Sequence, residues 1–240
     1  MIDQVFSRGL KVIEDLQKTQ TENLYKASEL IADAIYNGHK FFVTGSGHSH
    51  TVAEEFYGRA GGMACMVPIL TPELTLVDHP TKSTYLERLP GYANILVDLY
   101  KVSEGDVVLI ASNSGRNAYP VDMALEAHKR GAKVIAITNM KHTLATTSRH
   151  PSNQLLYQVA DVVIDNCGDI GDASMVIEGV MAPLCPTSSM ANAFICQTLV
   201  VQVVTNLTNK GMEVPVFMSA NAQNQVNRND EFFEKYTRVY

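Results

Sequence analysis

Five short apolar runs rich in β-branched residues are spaced along the chain, and segments with helical periodicity separate most of them. Strands that alternate with helices form a parallel sheet, because a parallel connection needs a crossover of about a dozen residues or more. The sequence therefore predicts an α/β fold, a three-layer αβα sandwich around a five-stranded parallel sheet of the flavodoxin or Rossmann-like class. The predicted strands are residues 41–44, 64–70, 107–111, 134–138 and 162–165.

The N-terminal region carries apolar residues at helical spacing over residues 2–16 and again over 24–35. Thr19 and Glu22 stand between them at capping-box spacing, which predicts a fresh helix start and therefore two N-terminal helices. Further helices are predicted over 51–60, 92–100, 120–130 and 190–207. The last of these is apolar on nearly every face, which predicts that the N-terminal helices or a second subunit cover it.

No internal repeat or low-complexity linker marks a domain boundary, and 240 residues with 46% hydrophobic content can bury one large core. We therefore predict a single domain over 1–240. It consists of N-terminal helices over 1–38, a core over 39–210 and a polar C-terminal tail over 211–240.

Composition excludes several classes of partner. The net charge of -6 provides no basic field for nucleic acid. Cys65, Cys167, Cys185 and Cys196 show no CxxC spacing, so neither a zinc ribbon nor a disulfide framework is predicted. The N-terminus has no leader-like segment, and no apolar stretch approaches the roughly 20 residues of a membrane helix. We expect a cytoplasmic protein with no membrane partner.

Two loops rich in serine and glycine each follow a predicted strand and open a predicted helix. Backbone N–H groups and the helix dipole favour an anion there, and small residues let it approach closely. Both loops fall at the carboxyl ends of strands, where such sheets bind ligands. The pair predicts a phosphate cradle; helix capping by the same side chains is the alternative. The predicted binding residues are Ser46, Gly47, His48, Ser49, Ser112, Asn113, Ser114, Gly115 and Asn117.

Other ligand classes fit these loops less well. Gly45 and Gly47 are followed by His50 where a dinucleotide fingerprint has glycine, and the loop lacks the Lys-Ser/Thr of a triphosphate site. A G-x-S-x-G nucleophile elbow is absent from the sequence. His48 and His50 have no carboxylate or cysteine at a supporting spacing. We therefore predict no cofactor and no metal, and expect His48 to line the phosphate pocket.

Two motifs resemble a known family. Ser112-Asn113-Ser114-Gly115 resembles the Ser-x-Ser-Gly-x-Thr phosphate loop of the sugar isomerase domain family, with Asn117 at the position of Thr. Residues 53–59, Ala-Glu-Glu-Phe-Tyr-Gly-Arg, resemble the Ala-Glu-Glu-Leu-Thr-Gly-Arg segment of its phosphoheptose isomerases. The likeness covers residues 41–210 and implies a phosphosugar-binding domain. The middle and end of the chain, including residues 186–189, are more similar to a bacterial branch of the family for which the likeness implies no particular reaction.

The resemblance implies that Glu55 is a catalytic base and that Arg59 faces the substrate. Aldose–ketose isomerisation needs a base that moves a proton between C1 and C2 through an enediol. The alternative is that Glu55 is a solvated surface glutamate. Phosphoheptose isomerases also carry a histidine on the last helix, whereas residues 187–210 contain none. We take His79 as the second catalytic residue; Lys82, Glu87 and Glu178 are the other candidates.

Two functions remain open: an enzyme that isomerises or otherwise enolises a sugar phosphate, and a phosphosugar-binding sensor without turnover. Regulators of this family usually carry a helix-turn-helix domain, but residues 1–38 provide no basic recognition helix. The apolar helices at both ends of the chain, together with the resemblance, predict a homodimer or homotetramer with pockets near subunit boundaries. A neighbouring subunit could then supply the missing acid or base.

Overall fold

The computed structural model describes residues 1–221 and 228–236 and contains a central sheet of five parallel strands. Their order across the sheet is β2-β1-β3-β4-β5, so β1 and β3 are neighbours. The predicted α/β fold is confirmed, and only the second strand is clearly shorter than predicted. The strands are β1 (Phe41–Gly45), β2 (Met66–Ile69), β3 (Val107–Ala111), β4 (Lys133–Thr138) and β5 (Val162–Asp165).

Helices cover both faces of this sheet, and a small antiparallel hairpin, β6 (Ala173–Met175) with β7 (Leu184–Pro186), lies outside it. Short 3-10 turns occupy Gly47–His50, Pro72–Leu74 and Leu156–Gln158. The helices are α1 (Ile2–Tyr36), α2 (Thr51–Phe56), α3 (Lys82–Leu86), α4 (Tyr92–Leu99), α5 (Ala118–Lys129), α6 (Met140–Leu144), α7 (Ser188–Asn209) and α8 (Asn229–Tyr236). The predicted polar tail over 211–240 lies partly outside the described residues.

The prediction of two N-terminal helices is wrong, because α1 is one continuous helix of 35 residues. The Thr19 hydroxyl donates to the carbonyl of Asp15 one turn earlier instead of capping a new helix. The neighbouring Gln20 is buried, and its side-chain oxygen accepts a hydrogen bond from the backbone N–H of Asp165 on β5. This contact with the sheet holds the polar middle of α1 in helical form.

Two apolar clusters enclose the sheet. On one face, α1, α2 and α7 pack on the strands through buried side chains such as Ile31, Phe56 and Leu199. On the other face, α4 and α5 contribute buried side chains such as Val97 and Tyr119. Helix α7 packs against α1, the N-terminal helix named by one of the two predicted alternatives, and also against α2, which was not predicted to cover it.

By length and composition alone, the 22 residues of α7 are long and apolar enough to cross a membrane. The prediction that no apolar stretch approaches the roughly 20 residues of a membrane helix was therefore wrong. Nine α7 residues, Leu199 among them, are buried inside the fold. This burial is typical of a core helix.

Two valines of α7 allow the contribution of this packing to stability to be measured. Val203 is 0% exposed and Val201 is 67% exposed, and truncation changes helix propensity equally at both. Val203→Ala removes buried methyl groups and leaves a cavity, so it should lower the free energy of unfolding by about 2 kcal/mol. Val201→Ala should stay within about 0.5 kcal/mol of wild type. Urea unfolding followed by circular dichroism measures both; equal losses would contradict the described packing.

Candidate functional site

The two Ser/Gly loops leave the same edge of the sheet side by side. Strands β1 and β3 are parallel neighbours, and Gly45 at the end of β1 is in register with Ala111 at the end of β3. The first loop, residues 46–50, continues into α2, and the second loop, residues 112–117, continues into α5. The strand register therefore brings two segments about 65 residues apart in sequence to one place.

A cavity of about 490 Å³ lies between these loops. Eight of the nine loop residues predicted to bind phosphate line it, and residues from three other segments complete its wall. The loop residues are Ser46, Gly47, His48, Ser49, Ser112, Asn113, Ser114 and Asn117, and the others are Leu76, Pro80, Ser83, Thr84, Glu87, His142, Gly171 and Asp172.

Glycine is required where the first loop leaves β1. A Cβ atom on Gly45 would lie 2.3 Å from the backbone oxygen of Ser49. The loop therefore folds back on its own start more closely than any side chain permits. The hydroxyl of Ser46, the next residue, is buried and makes no well-formed hydrogen bond to any residue in the described part of the chain. A buried hydroxyl without a partner is uncommon and indicates a ligand or water position.

Gly115 shapes the second loop without lining the cavity. Its φ of 58° lies in the left-handed region, and its N–H donates to Ser112 Oγ at 3.2 Å. The carbonyl of Ser114 accepts a hydrogen bond from the Thr143 hydroxyl at 2.7 Å, which anchors the loop to the end of β4. Gly115 is thus a positioning residue in a loop whose serines face the cavity.

The alternative, that loop side chains cap helices or satisfy backbone groups, is observed in part, since Ser112 Oγ accepts the Gly115 N–H at 3.2 Å. Over the described residues, neither Ser46, which precedes the 3-10 turn, nor Asn117, which precedes α5, makes a side-chain cap. Asn117 instead donates from Nδ2 to Glu87 Oε1 at 2.7 Å. Its Oδ1 accepts from Arg149 Nη1 at 3.2 Å. Asn117 therefore does not cap α5, because these tertiary partners take up both ends of its amide.

Glu87 brings a carboxyl group into the cavity wall. Burial raises its pKa above the ordinary value of 4.5, and the nearby Ser46 hydroxyl and the charges of Arg88 and Arg149 offset only part of this rise. The hydrogen bond from Asn117 fixes one carboxyl oxygen. A held carboxyl whose pKa is displaced toward neutrality can give or take a proton.

His142 and Asp172 also line the cavity, and the sequence analysis did not predict either. His142 Nδ1 accepts a hydrogen bond from the Gly171 N–H at 2.8 Å, so the neutral imidazole carries its proton on Nε2. Asp172 accepts hydrogen bonds from the Ser188 N–H and hydroxyl at 2.8 and 2.7 Å, and thereby caps α7. The position of His142 shortly after β4, at the same strand edge as the loops, is the sequence signal that could have identified it.

Besides Gly115, three predicted site residues lie outside the cavity lining. Glu55 on α2 pairs with Arg59, and it accepts a hydrogen bond from Gln197 Nε2 at 2.8 Å. Gln197 belongs to α7, the helix on which the resemblance implies a histidine. His79 is exposed, and its Nδ1 lies 3.1 Å from the Thr81 hydroxyl. Within residues 1–221 and 228–236, no three His, Cys, Asp or Glu side chains approach closely enough to hold a metal ion.

Comparison with known proteins agrees with this architecture. A family model described as SIS domain matches residues 6–139. The UPF0309 protein of Halalkalibacterium halodurans is 44% identical over 228 residues, which cover 95% of this chain and 94% of that protein.

Solved structures share the fold at lower sequence identity. A phosphoheptose isomerase from Francisella tularensis has a TM-score of 0.57 and 17% identity, over 85% of this chain and 96% of that one. The Vibrio vulnificus NanR protein complexed with ManNAc-6P has a TM-score of 0.51 and 16% identity, over 88% and 67%. At these identities, the likeness shows the fold alone.

The turn at Gly45 can be tested directly. Gly45→Ala places a methyl group against the Ser49 backbone, so it should destabilise the fold by about 2 kcal/mol or more and displace the first loop. Gly9→Ala in α1 is the control, because its Cβ would contact only Met190 Sδ at 3.5 Å. That change should stabilise by about 0.5–1 kcal/mol through helix propensity. Thermal unfolding compares the two variants, and a neutral Gly45→Ala would contradict the described turn.

The raised pKa of Glu87 predicts a pH-dependent stability difference. The folded protein binds this proton more tightly than the unfolded chain, so wild-type stability falls as pH rises above 4.5 through the folded pKa. Glu87→Gln keeps an oxygen for Asn117 but removes this decline. Its stability relative to wild type should therefore rise with pH across that window, as measured by urea unfolding. The exposed Glu104→Gln serves as the control, and a difference that does not change with pH would exclude burial as the cause.

Proposed function

Because this chain belongs to the SIS-domain family, we propose that it binds a phosphorylated sugar between the two Ser/Gly loops and catalyses its isomerisation, or a related enolisation. The resemblance stated from the sequence is thereby confirmed at the level of the family. A phosphoheptose isomerase is among the proteins that share the fold. A reaction of that class requires an anchored phosphate and a carboxyl group that moves a proton beside a carbonyl.

The observation that carries this proposal is the meeting of both loops at one cavity. The buried Ser46 hydroxyl lies beside the Glu87 carboxyl without a well-formed hydrogen bond in the described residues, and it would donate to a phosphate oxygen. Ser49 and Ser114 supply further hydroxyls in the same wall. The N-terminal end of α5, which no side chain caps in the described structure, adds the positive end of a helix dipole. A dianion therefore has donors on two sides.

We assign the proton transfer to Glu87. Its carboxyl lines the cavity, Asn117 orients it, and burial brings its pKa closer to neutrality. Glu55, implied by the resemblance, is the alternative base; its carboxylate is held by Arg59 and Gln197 outside the cavity lining. One carboxyl that reaches C1 and C2 can remove and return the carbon-bound proton. The accompanying proton transfer between O1 and O2 needs a second group, and we assign it to His142, which lines the same cavity and carries its ring proton on Nε2.

A second candidate function is a phosphosugar sensor without turnover. Gln197 favours this function. It lies on α7, the helix on which the resemblance implies a histidine, and its side chain donates to Glu55. An amide cannot transfer a proton as a histidine does. The NanR protein, which shares the fold, is described in complex with ManNAc-6P. In this version the cavity binds the same ligand class, and Glu87 only contacts the sugar.

We also propose that the protein acts in the cytoplasm as a homodimer or homotetramer. Large apolar side chains stand exposed on two helices that pack together, Phe6 and Leu10 on α1 and Met190 and Phe194 on α7. Exposed apolar groups on one face of a fold are typical of an interface between copies.

The proposal is tested by ligand binding followed by proton exchange. A panel of sugar phosphates is screened by thermal shift, because a ligand at about 100 times its Kd adds about 2.7 kcal/mol of stability. Ser114→Ala should weaken the binding of a phosphorylated sugar about tenfold by removing one hydrogen bond to a charged group. Unphosphorylated sugars are the ligand control. If no phosphorylated sugar shifts the transition, the proposal fails.

Exchange of the C2 proton in deuterated water then separates enzyme from sensor. We expect exchange in the wild type and in Glu55→Gln, and a loss of roughly a hundredfold or more in Glu87→Gln with binding retained. Loss in Glu55→Gln alone would move the base to that residue. Tight binding without exchange in the wild type would establish the sensor.

A further inference from the structure

The arginines of this chain divide into two groups by their partners. Seven lie in the described residues, and four of them form ion pairs with a carboxylate. The pairs are Arg8 with Asp169, Arg59 with Glu55, Arg130 with Asp98, and Arg228 with Glu213. Arg88, Arg116 and Arg149 have no carboxylate within 4 Å anywhere in the described structure.

The three arginines without such a partner lie together. The N–H of Arg149 donates to the carbonyl of Arg116 at 2.8 Å, which joins the segment after α6 to the second loop. Arg88 follows Glu87 at the end of α3. Burial, and then the positive charges of Arg149 and Arg88, lower the pKa of the Arg116 guanidinium. Like charges held this close repel one another, so the arrangement is stabilised when an anion binds between them.

Hydrogen-bond donors in the cluster are also unused. Arg116 Nε is buried without a hydrogen-bond partner among the described residues, and Arg116 Nη2 reaches only Thr147 Oγ1, at 3.4 Å. Arg88 and Arg149 are exposed and accessible to solutes. Guanidinium groups bind phosphate oxygens through paired N–H donors, so three of them provide more donors than a single phosphate group needs.

The cluster borders the cavity wall. Arg149 Nη1 donates to Asn117 Oδ1 at 3.2 Å, and Asn117 donates to Glu87 at 2.7 Å. Asn117 and Glu87 both line the cavity. The charges of Arg88 and Arg149 offset part of the rise that burial causes in the pKa of Glu87, but the Glu87 carboxyl hydrogen-bonds to Asn117 and forms no ion pair with either arginine in the described structure. The cluster therefore keeps an excess of positive charge.

We propose that Arg88, Arg116 and Arg149 form a second anion site, beside the cavity, for a phosphate or diphosphate group. The group has two possible sources: a second phosphate on the sugar in the cavity, or a separate phosphorylated molecule that binds next to it. The site itself stands on the arginines alone. Only its occupation by the same sugar rests on the proposed function.

Inorganic pyrophosphate tests the site without any sugar. Calorimetric titration at low salt should show binding to the wild type, about tenfold weaker in Arg116→Gln and in Arg149→Gln. Arg88→Gln should also weaken it, and because Arg88 is exposed this variant keeps the fold intact. Arg130→Gln removes the same charge at an ion-paired arginine and should change affinity less than about twofold.

The phosphate cradle could bind pyrophosphate instead, and Ser114→Ala distinguishes the two places. Loss of pyrophosphate binding in Ser114→Ala, with the three arginine variants unchanged, would overturn the second site. So would the absence of pyrophosphate binding to the wild type. Neither result bears on whether a monophosphorylated sugar binds in the cavity, so failure of the second site and failure of the proposed function are separable.

Fructose 6-phosphate and fructose 1,6-bisphosphate identify the source of the anion. If one sugar reaches both sites, the bisphosphate binds at least about tenfold tighter than the monophosphate, and Arg116→Gln removes that gain. If the anion is separate, pyrophosphate binds in the presence of the monophosphate, and the second phosphate adds no affinity. Both results support the site; equal affinities combined with no pyrophosphate binding overturn it.

Discussion

The parallel register between β1 and β3 is the constraint on which the candidate site depends. It places Gly45 beside Ala111, so two loops that the chain makes about 65 residues apart begin at the same edge of the sheet. The close return of the first loop onto Ser49 is possible because Gly45 has no Cβ. Without either feature, the serines of the two loops would not line one cavity.

Much of the fold could be predicted because a buried parallel strand is a continuous apolar run with a local signature. The predicted ranges for β3 and β5 equal the observed Val107–Ala111 and Val162–Asp165. The break predicted within α1 does not occur, because a tertiary contact opposes it. The backbone N–H of Asp165 on β5 donates to the Gln20 side chain and keeps the polar segment helical. Helix α2 ends at Phe56 and not at the predicted residue 60. It ends there because the backbone of Tyr57 is extended and Gly58 is left-handed.

Only the local part of the candidate site could be predicted from the sequence. Ser/Gly loops are local features, whereas the other wall residues come from three segments that only the folded topology joins. Glu87 was one of several candidates for the second acid or base, and His142 and Asp172 were not predicted. Glu87 has no motif around it, and its chemistry arises from burial and from Asn117, which a sequence pattern cannot express. Glu55 illustrates the converse: its motif is clear, but its hydrogen bond to Gln197 depends on how α2 meets α7.

Asn117 connects the two anion sites that we propose. Its amide touches the Glu87 carboxyl on one side and the Arg149 guanidinium on the other. Burial raises the pKa of Glu87, and the positive charges of Arg88 and Arg149 offset part of that rise. An anion on the arginines would cancel those charges and make Glu87 bind its proton more tightly. Occupation of the arginine site would therefore change the protonation of the carboxyl group assigned to proton transfer, and this electrostatic effect couples the two sites.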